Sequence, residues 1–292
     1  MSKGESLLYL NAIGLNHDEL KYITQKFEDP FKIIDDVKNL NEEIRIESKI
    51  KEKIIQESKL FDLDRYVNYM HSNDISYTTI YDKEYPEILR CIDDSPKLLY
   101  IKGCLEDKRP GLAVVGSRKC TDYGKWAAEK LVSDLSDYGV NIISGLALGI
   151  DKIAHTTAIK SGLKTIAVLG CGVDMVYPAS NKGVYNDIIN GNGAIISEFR
   201  LETPPLPYHF PLRNRIISGL ALGLIIIEAK EKSGTLITAN YAATQGKEVF
   251  SLPGNINSIY SKGTNALIRD GAKIITDVMD IVDELPELPR NT

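Results

Sequence analysis

From residue 111 onward, apolar residues come in short, near-continuous runs separated by segments with helical spacing. The runs LAVVGS (112–117), VNIISGLA (140–147), TIAVLG (165–170), AIISEF (194–199), LGLIIIEA (222–229), EVFSLPG (248–254) and AKIIT (272–276) predict strands. Between them, helix-patterned segments begin near Tyr123, Ile150, Lys182, Arg213, Leu236 and Thr264. Strands that are apolar throughout bury both faces, so this alternation predicts a mostly parallel sheet covered by helices on each side. The region is too short for an eight-fold barrel, which leaves an open, doubly wound α/β sheet.

The first 60 residues or so read differently. SLLYLNAIGLNHDELKYITQKF reads as a helix, a turn at Gly14 and a second helix from about Asn16. EEIRIESKIKEKIIQESKL (42–60) places Ile46, Ile50 and Ile54 four apart, an amphipathic helix. The pattern predicts a small all-helical domain over 1–65, an α/β domain over 66–286 and a short tail over 287–292. The stretch SYTTIYDKEYPEILRCIDDSPKLLYIKG mixes strand and helix signals around Pro86 and Pro96.

The composition is that of a globular protein, with 43% hydrophobic and 26% charged residues. A net charge of −5 excludes coating of nucleic acid through bulk charge but allows a local basic groove. Cys91, Cys104, Cys120 and Cys171 form no CxxC pair, and no histidine stands at metal-ligand spacing with them. Reduced thiols in a cytoplasmic protein, with no metal site, are therefore expected. The N-terminus lacks a secretory signal, and no apolar run reaches the ~20 residues of a membrane span.

Open α/β sheets bind ligands at the carboxyl ends of their strands. Here those ends carry Gly116-Ser117-Arg118, Ser144-Gly145, Gly170-Cys171-Gly172 and, after Glu228, Ser233-Gly234-Thr235. Glycine and small hydroxyl residues let backbone N–H groups approach an anion. The first turn is no dinucleotide fingerprint, because Arg118 stands where G-x-G-x-x-G needs glycine. No P-loop motif occurs either. Arg118 reads either as a surface ion-pair partner or as a phosphate contact.

Asp151 reads as a cap on its helix and His155 as a packed or surface residue. Lys182, Arg213 and Arg215 sit where helices are expected to begin, positions where a cation costs stability unless something negative lies opposite. Phe210 reads as core or as a platform for a base. Glu228 resembles a carboxylate of nucleotide N-glycoside-cleaving enzymes, although a single carboxylate without a second reads first as a group that caps or hydrogen-bonds neighbouring turns. These residues indicate phosphate binding without choosing among a strand-binding protein, a nucleotide enzyme and a nucleotide sensor.

The motifs YPEIL (85–89), SPKLLYIKG (95–103), AVVGSRKCTDYG (113–124), SGLALGIDKIAH (144–155), AVLGCGVDMVYPASN (167–181), ISEF (196–199), HFPLRNRIISGLA (209–221), IIEAKEKSGTLITA (226–239), VFSLPG (249–254) and GTNALIRDGA (263–272) occur in this order. In them the chain resembles the DNA-processing protein A family, also called Smf. The resemblance implies an extended Rossmann-like fold that binds single-stranded DNA as a homodimer, without catalysis or cofactor. It further implies protection of incoming strands in natural transformation and help in loading the recombinase RecA.

By the same resemblance Arg118 of the GSR motif contacts DNA, with Gly116 and Ser117 offering backbone and hydroxyl. Lys182 matches the basic position after the YP motif. Phe210, Arg213, Asn214 and Arg215 fall in the FPxRNR motif bordering the same pocket, and Ser144 and Gly145 at the neighbouring strand end complete the expected DNA-binding set. The N-terminal helices resemble a sterile-alpha-motif-like domain. The C-terminal winged-helix-like domain of many members is not expected here.

Overall fold

The computed structural model describes residues 1–38, 46–105, 109–191 and 193–289. Helices α1 (Lys3–Ala12), α2 (His17–Lys26), α3 (Pro30–Lys38), α4 (Ser48–Glu57) and α5 (Leu63–Ser72) open the chain. Capping boxes start α1 (Ser2 with Glu5) and α2 (Asn16 with Glu19), so each pair satisfies two backbone donors reciprocally. Helix α4 turns Ile50 and Ile54 inward, as their four-residue spacing requires. Residues 42–45 of that expected helix, and 290–292 of the expected tail, lie outside the described residues. The expected boundary at 65/66 falls inside α5.

The rest alternates strands and helices. In chain order come β1 (Ile75–Thr79), α6 (Glu87–Arg90), β2 (Leu98–Gly103), β3 (Gly111–Val115), α7 (Asp122–Asp134), β4 (Asn141–Ser144), α8 (Ile150–Lys160), β5 (Thr165–Val168) and α9 (Lys182–Asn190). Then follow β6 (Ala194–Ser197), α10 (His209–Gly219), β7 (Gly223–Ile226), α11 (Gly234–Thr244), β8 (Glu248–Ser251), α12 (Lys262–Arg269), β9 (Lys273–Ile274) and α13 (Met279–Val282). The strands form one sheet in the order β1-β2-β6-β5-β4-β3-β7-β8-β9. Neighbours from β6 to β9 pair in parallel, while β2 runs antiparallel to both β1 and β6. The fold is a doubly wound, Rossmann-like α/β sheet.

Strand residues alternate between two faces. Ala113, Val115, Val168, Ile196 and Ile226 face a core covered by α6, α10 and α11. Val114 and Ile225 face a second core under α7, α8 and α13. Ala167 and Ile195 face a third, into which Leu7, Leu10, Ile23 and Ile54 of the N-terminal helices are packed. The helical segment therefore shares a core with the sheet. It is tied there by polar contacts too: the Tyr100 hydroxyl donates to Asn11 Oδ1 at 2.9 Å, and Arg200 donates to Ala12 O at 3.0 Å at the C-terminal end of α1.

From β3 the chain steps one way to β4, β5 and β6, then returns past β3 to β7. The crevice beyond the carboxyl ends of β3 and β7 is thus the topological switch point, where such sheets hold ligands.

Candidate functional site

A cavity of about 630 Å³ opens at that crevice, lined by the turn Gly116–Lys119 after β3, by Asp151, Tyr177, Phe210, Arg213 and Asn214, and by Ser233–Thr235 after β7. Arg118 and Lys119 are exposed at its rim. The Arg118 guanidinium lies 5.6 Å from the centroid of the Phe210 ring, which in turn lies 5.4 Å from that of Tyr177. A cation over an aromatic face, with a second ring beside it, presents both charge and a flat apolar surface. The first turn of α11 lines the cavity as well, and the leading N–H groups of a helix favour an anion. Lys230 supplies another exposed cation to the lining.

Under the rim lies a buried charged floor. Arg213 donates from Nη1 to Gly145 O at 2.8 Å and to Val168 O, so it ties together the ends of β4 and β5. Burial pulls its pKa down to about 10, against the opposing charge of Asp151. Asp151 accepts from the backbone N–H of Gly145 at 3.2 Å and of Ala147 at 3.4 Å. Burial raises the Asp151 pKa, and the Arg213 charge and these N–H groups oppose it. Asp151 braces the turn after β4; it does not cap α8, whose N-cap is Gly149 and makes no side-chain hydrogen bond.

The structure separates the expected site residues. Gly116, Ser117, Arg118, Phe210, Arg213 and Asn214 share the cavity. Arg215 does not. It is fully buried, donating to both Glu198 oxygens at 2.6 Å and to Asp94 Oδ2 at 3.1 Å. The negative partner that its position demands is therefore Glu198, with Asp94, and not a ligand. Helix α10 also begins at His209 rather than near Arg213, so both arginines lie inside it.

Ser144 is likewise fully buried, and its hydroxyl donates to Val114 O at 2.6 Å. Lys182 is exposed on the first turn of α9, outside the cavity lining.

Packing also requires glycine at the strand ends. A Cβ on Gly145 would stand 2.6 Å from the Arg213 guanidinium, and one on Gly116 would stand 2.7 Å from Ile150. Gly149, with φ +73°, lets the carbonyl of Ser117 lie against the start of α8. These positions allow loops to approach one another closely; Gly234, with nothing within 4 Å of a would-be Cβ, is open.

Glu228, 3% exposed, accepts from Thr121 N at 3.0 Å and from the Thr121 hydroxyl, which places its carboxylate on the start of α7. His155 is fully buried against Thr165, with Nδ1 2.6 Å from Oγ1. Because that hydroxyl donates to Ile142 O, Nδ1 carries the proton and donates to Oγ1.

Sequence reasoning missed Lys119, Lys230 and Tyr177. Lys119 adjoins Arg118, and Lys230 follows a strand end by a few residues, so both were legible as cations near loops. Tyr177 gave no signal beyond its Tyr-Pro turn.

A family model described as DNA recombination-mediator protein A matches residues 76–286, from β1 through α13. The chain belongs to this family. Among relatives in the DNA recombination-mediator protein A family, the DNA processing protein DprA of Streptococcus pneumoniae (strain ATCC BAA-255 / R6) is 45% identical over 207 residues, covering 70% of this chain and 73% of that protein. The DNA processing protein DprA of Bacillus subtilis (strain 168) is 40% identical over 227 residues, 77% of this chain and 76% of the relative.

The X-ray structure of DprA from Streptococcus pneumoniae superposes with a TM-score of 0.79 at 34% identity, over 98% of this chain and 99% of that one. DNA processing protein A from Helicobacter pylori, whose structure describes a single-stranded DNA binding mode, gives a TM-score of 0.65 at 33% identity, over 73% of this chain and 96% of the other. Among the described residues no helix is long and apolar enough to cross a membrane, and no cluster of three or more His, Cys, Asp or Glu has metal-binding geometry.

Proposed function

We propose that this protein binds single-stranded DNA at the carboxyl edge of its sheet and acts, without catalysis or cofactor, as a recombination mediator. In this reading it works in the cytoplasm as a homodimer, protects strands taken up in natural transformation and helps load the recombinase RecA. The observation that carries the proposal is Arg118, exposed over the Phe210 ring at the mouth of the cavity, with Lys119 and Lys230 beside it. Guanidinium and ammonium groups pair with phosphates, and aromatic faces accept any base. Such contacts position a strand without reading its sequence. Family membership and the single-stranded DNA binding mode described for the Helicobacter pylori relative support the same reading. The Lys182 side chain, exposed but outside the cavity, is placed on the strand path only by this proposal.

Nucleotide N-glycoside cleavage on the same fold is less well supported. Its carboxylate, Glu228, is occupied by Thr121 rather than directed into the cavity.

Fluorescence anisotropy of a labelled oligo-dT, at several salt concentrations, tests the proposal. Affinity is expected to fall with a log–log slope of about −0.7 per phosphate neutralised, and the slope of Arg118→Ala to be shallower by about 0.7. Unchanged binding in that variant would move the site elsewhere. No binding by a folded protein would sink the reading.

A further inference from the structure

Helix α7 follows directly from the turn that carries Arg118, and its two faces have unequal work. Gly124, Ala127, Ala128, Leu131 and Val132 pack inward and account for its place in the core. On the outer face Tyr123 and Trp126, three residues apart, are 45% and 57% exposed. Their rings stack, with centroids 6.1 Å apart and planes at 28°. The Tyr123 hydroxyl donates to Pro253 O at 3.1 Å, which ties that ring to the loop after β8. This tryptophan is the only one in the chain. A large flat apolar pair standing in solvent presents a ready platform.

Charge and continuity identify the occupant. From residue 117 to 126 the exposed charges are Arg118, Lys119 and Lys125 against Asp122 alone, within a chain whose net charge is −5. Thr121, which caps α7 through Gly124 N at 3.1 Å, is held by Glu228 just beyond the end of β7, so the helix starts at the same sheet edge as the cavity. We infer that the Tyr123–Trp126 pair is a second base-stacking platform, taking the bases of a single strand where it leaves the Arg118 cavity. The inference rests on the strand-binding reading above and extends it by a further contact site. The platform accepts any base, because every base offers a π-face. Longer strands therefore gain from it and strands confined to the cavity do not.

Trp126 is its own reporter. Oligo-dT of about 35 nucleotides is expected to quench its emission, while an oligo-dT of about 5 binds with little change in that emission. By anisotropy, Trp126→Ala is expected to weaken the longer oligonucleotide by roughly 5- to 140-fold and to leave the shorter one unchanged; Trp126→Phe, which keeps a stacking face, restores most of the loss. The position is exposed, so folding survives the substitution.

Arg118-dependent binding of the longer strand, with Trp126 emission unmoved and the alanine variant unimpaired, would overturn this inference alone. Absence of any oligonucleotide binding would overturn it together with the strand-binding reading. Emission that changes on dilution without DNA would show the pair covered by a second copy of the chain, which also overturns it.

Discussion

Two charged regions meet across α10, and they are built on opposite principles. In the seam between α2, the segment before β2, β6 and α10, charge is matched. Arg215 bridges Glu198 and Asp94, Lys21 donates to Asp94 at 2.6 Å, and His17 lies 2.9 Å from Asp94 and 3.4 Å from Glu198. Burial opposes the Arg215 charge, yet the carboxylates more than offset it and raise the pKa. Burial likewise pushes the Asp94 carboxyl up, but Lys21, His17 and Arg215 hold it well below the usual carboxylate range. At the carboxyl edge the balance differs. Asp151 and Arg213 face each other in the floor, while Arg118, Lys119 and Lys230 remain at the surface. Matched buried charge holds elements in place; surplus charge on a rim is available to a ligand.

The largest effect is expected from breaking the match. Glu198→Ala leaves the Arg215 guanidinium, fully buried, with Asp94 as its remaining carboxylate. Removing one member of a buried pair costs about 3–5 kcal/mol, to be read from the urea midpoint at an unchanged m-value. A loss below about 1 kcal/mol, the worth of a surface pair, would erase the distinction between the regions.

Acid sharpens the contrast at intermediate size. The His155 pKa is lowered from 6.5 to about 3, by burial and then by the Arg213 charge. The unfolded chain therefore binds the extra proton first, and stability present above about pH 6.5 is lost as pH falls towards 3. The expected slope approaches 1.4 kcal/mol per pH unit and is flattened in His155→Asn. Asp94 contributes in a lower window. Its depressed pKa gives stability that is full above 3.8 and lost as pH falls through the folded value. Urea titrations from pH 7 down to 3.8 read the His155 contribution before that of Asp94 begins to be lost, and an unaltered profile in His155→Asn would remove it.

The smallest stability effect is expected at the rim. Arg118→Ala should change unfolding by no more than about 0.5 kcal/mol, since the side chain is exposed, even while it alters the salt dependence of DNA binding. A large destabilisation would make Arg118 a second seam residue and dissolve the comparison.

Much of the sheet was legible because burial on both faces leaves a one-dimensional record. Each apolar run after residue 111 covers an observed strand to within one residue, though the runs overreach by including loop residues such as Gly116 and Ser117. β1 and β2 were obscured: Pro86 and Pro96 stand beside them, and the strands pair antiparallel at one end of the sheet, away from its regular alternation. Within the FPxRNR motif the sequence supplied two arginines but not their directions. They are two residues apart on a helix, so they point to different sides, and only the packing of α10 decides that Arg213 reaches the cavity floor and Arg215 the seam.

By itself, then, the sequence determined the alternation of buried strands and helices, the family, and a cation in the first strand-end turn, since these depend on local pattern and motif order. Tertiary structure alone decided which charges are neutralised. Glu198 lies 17 residues from Arg215 and Asp94 lies 121 away. Pairing across such separations follows from how the sheet is wound and not from any spacing along the chain. The same winding brings the ends of β3 and β7 together, and with them the rim that remains positive in an acidic protein.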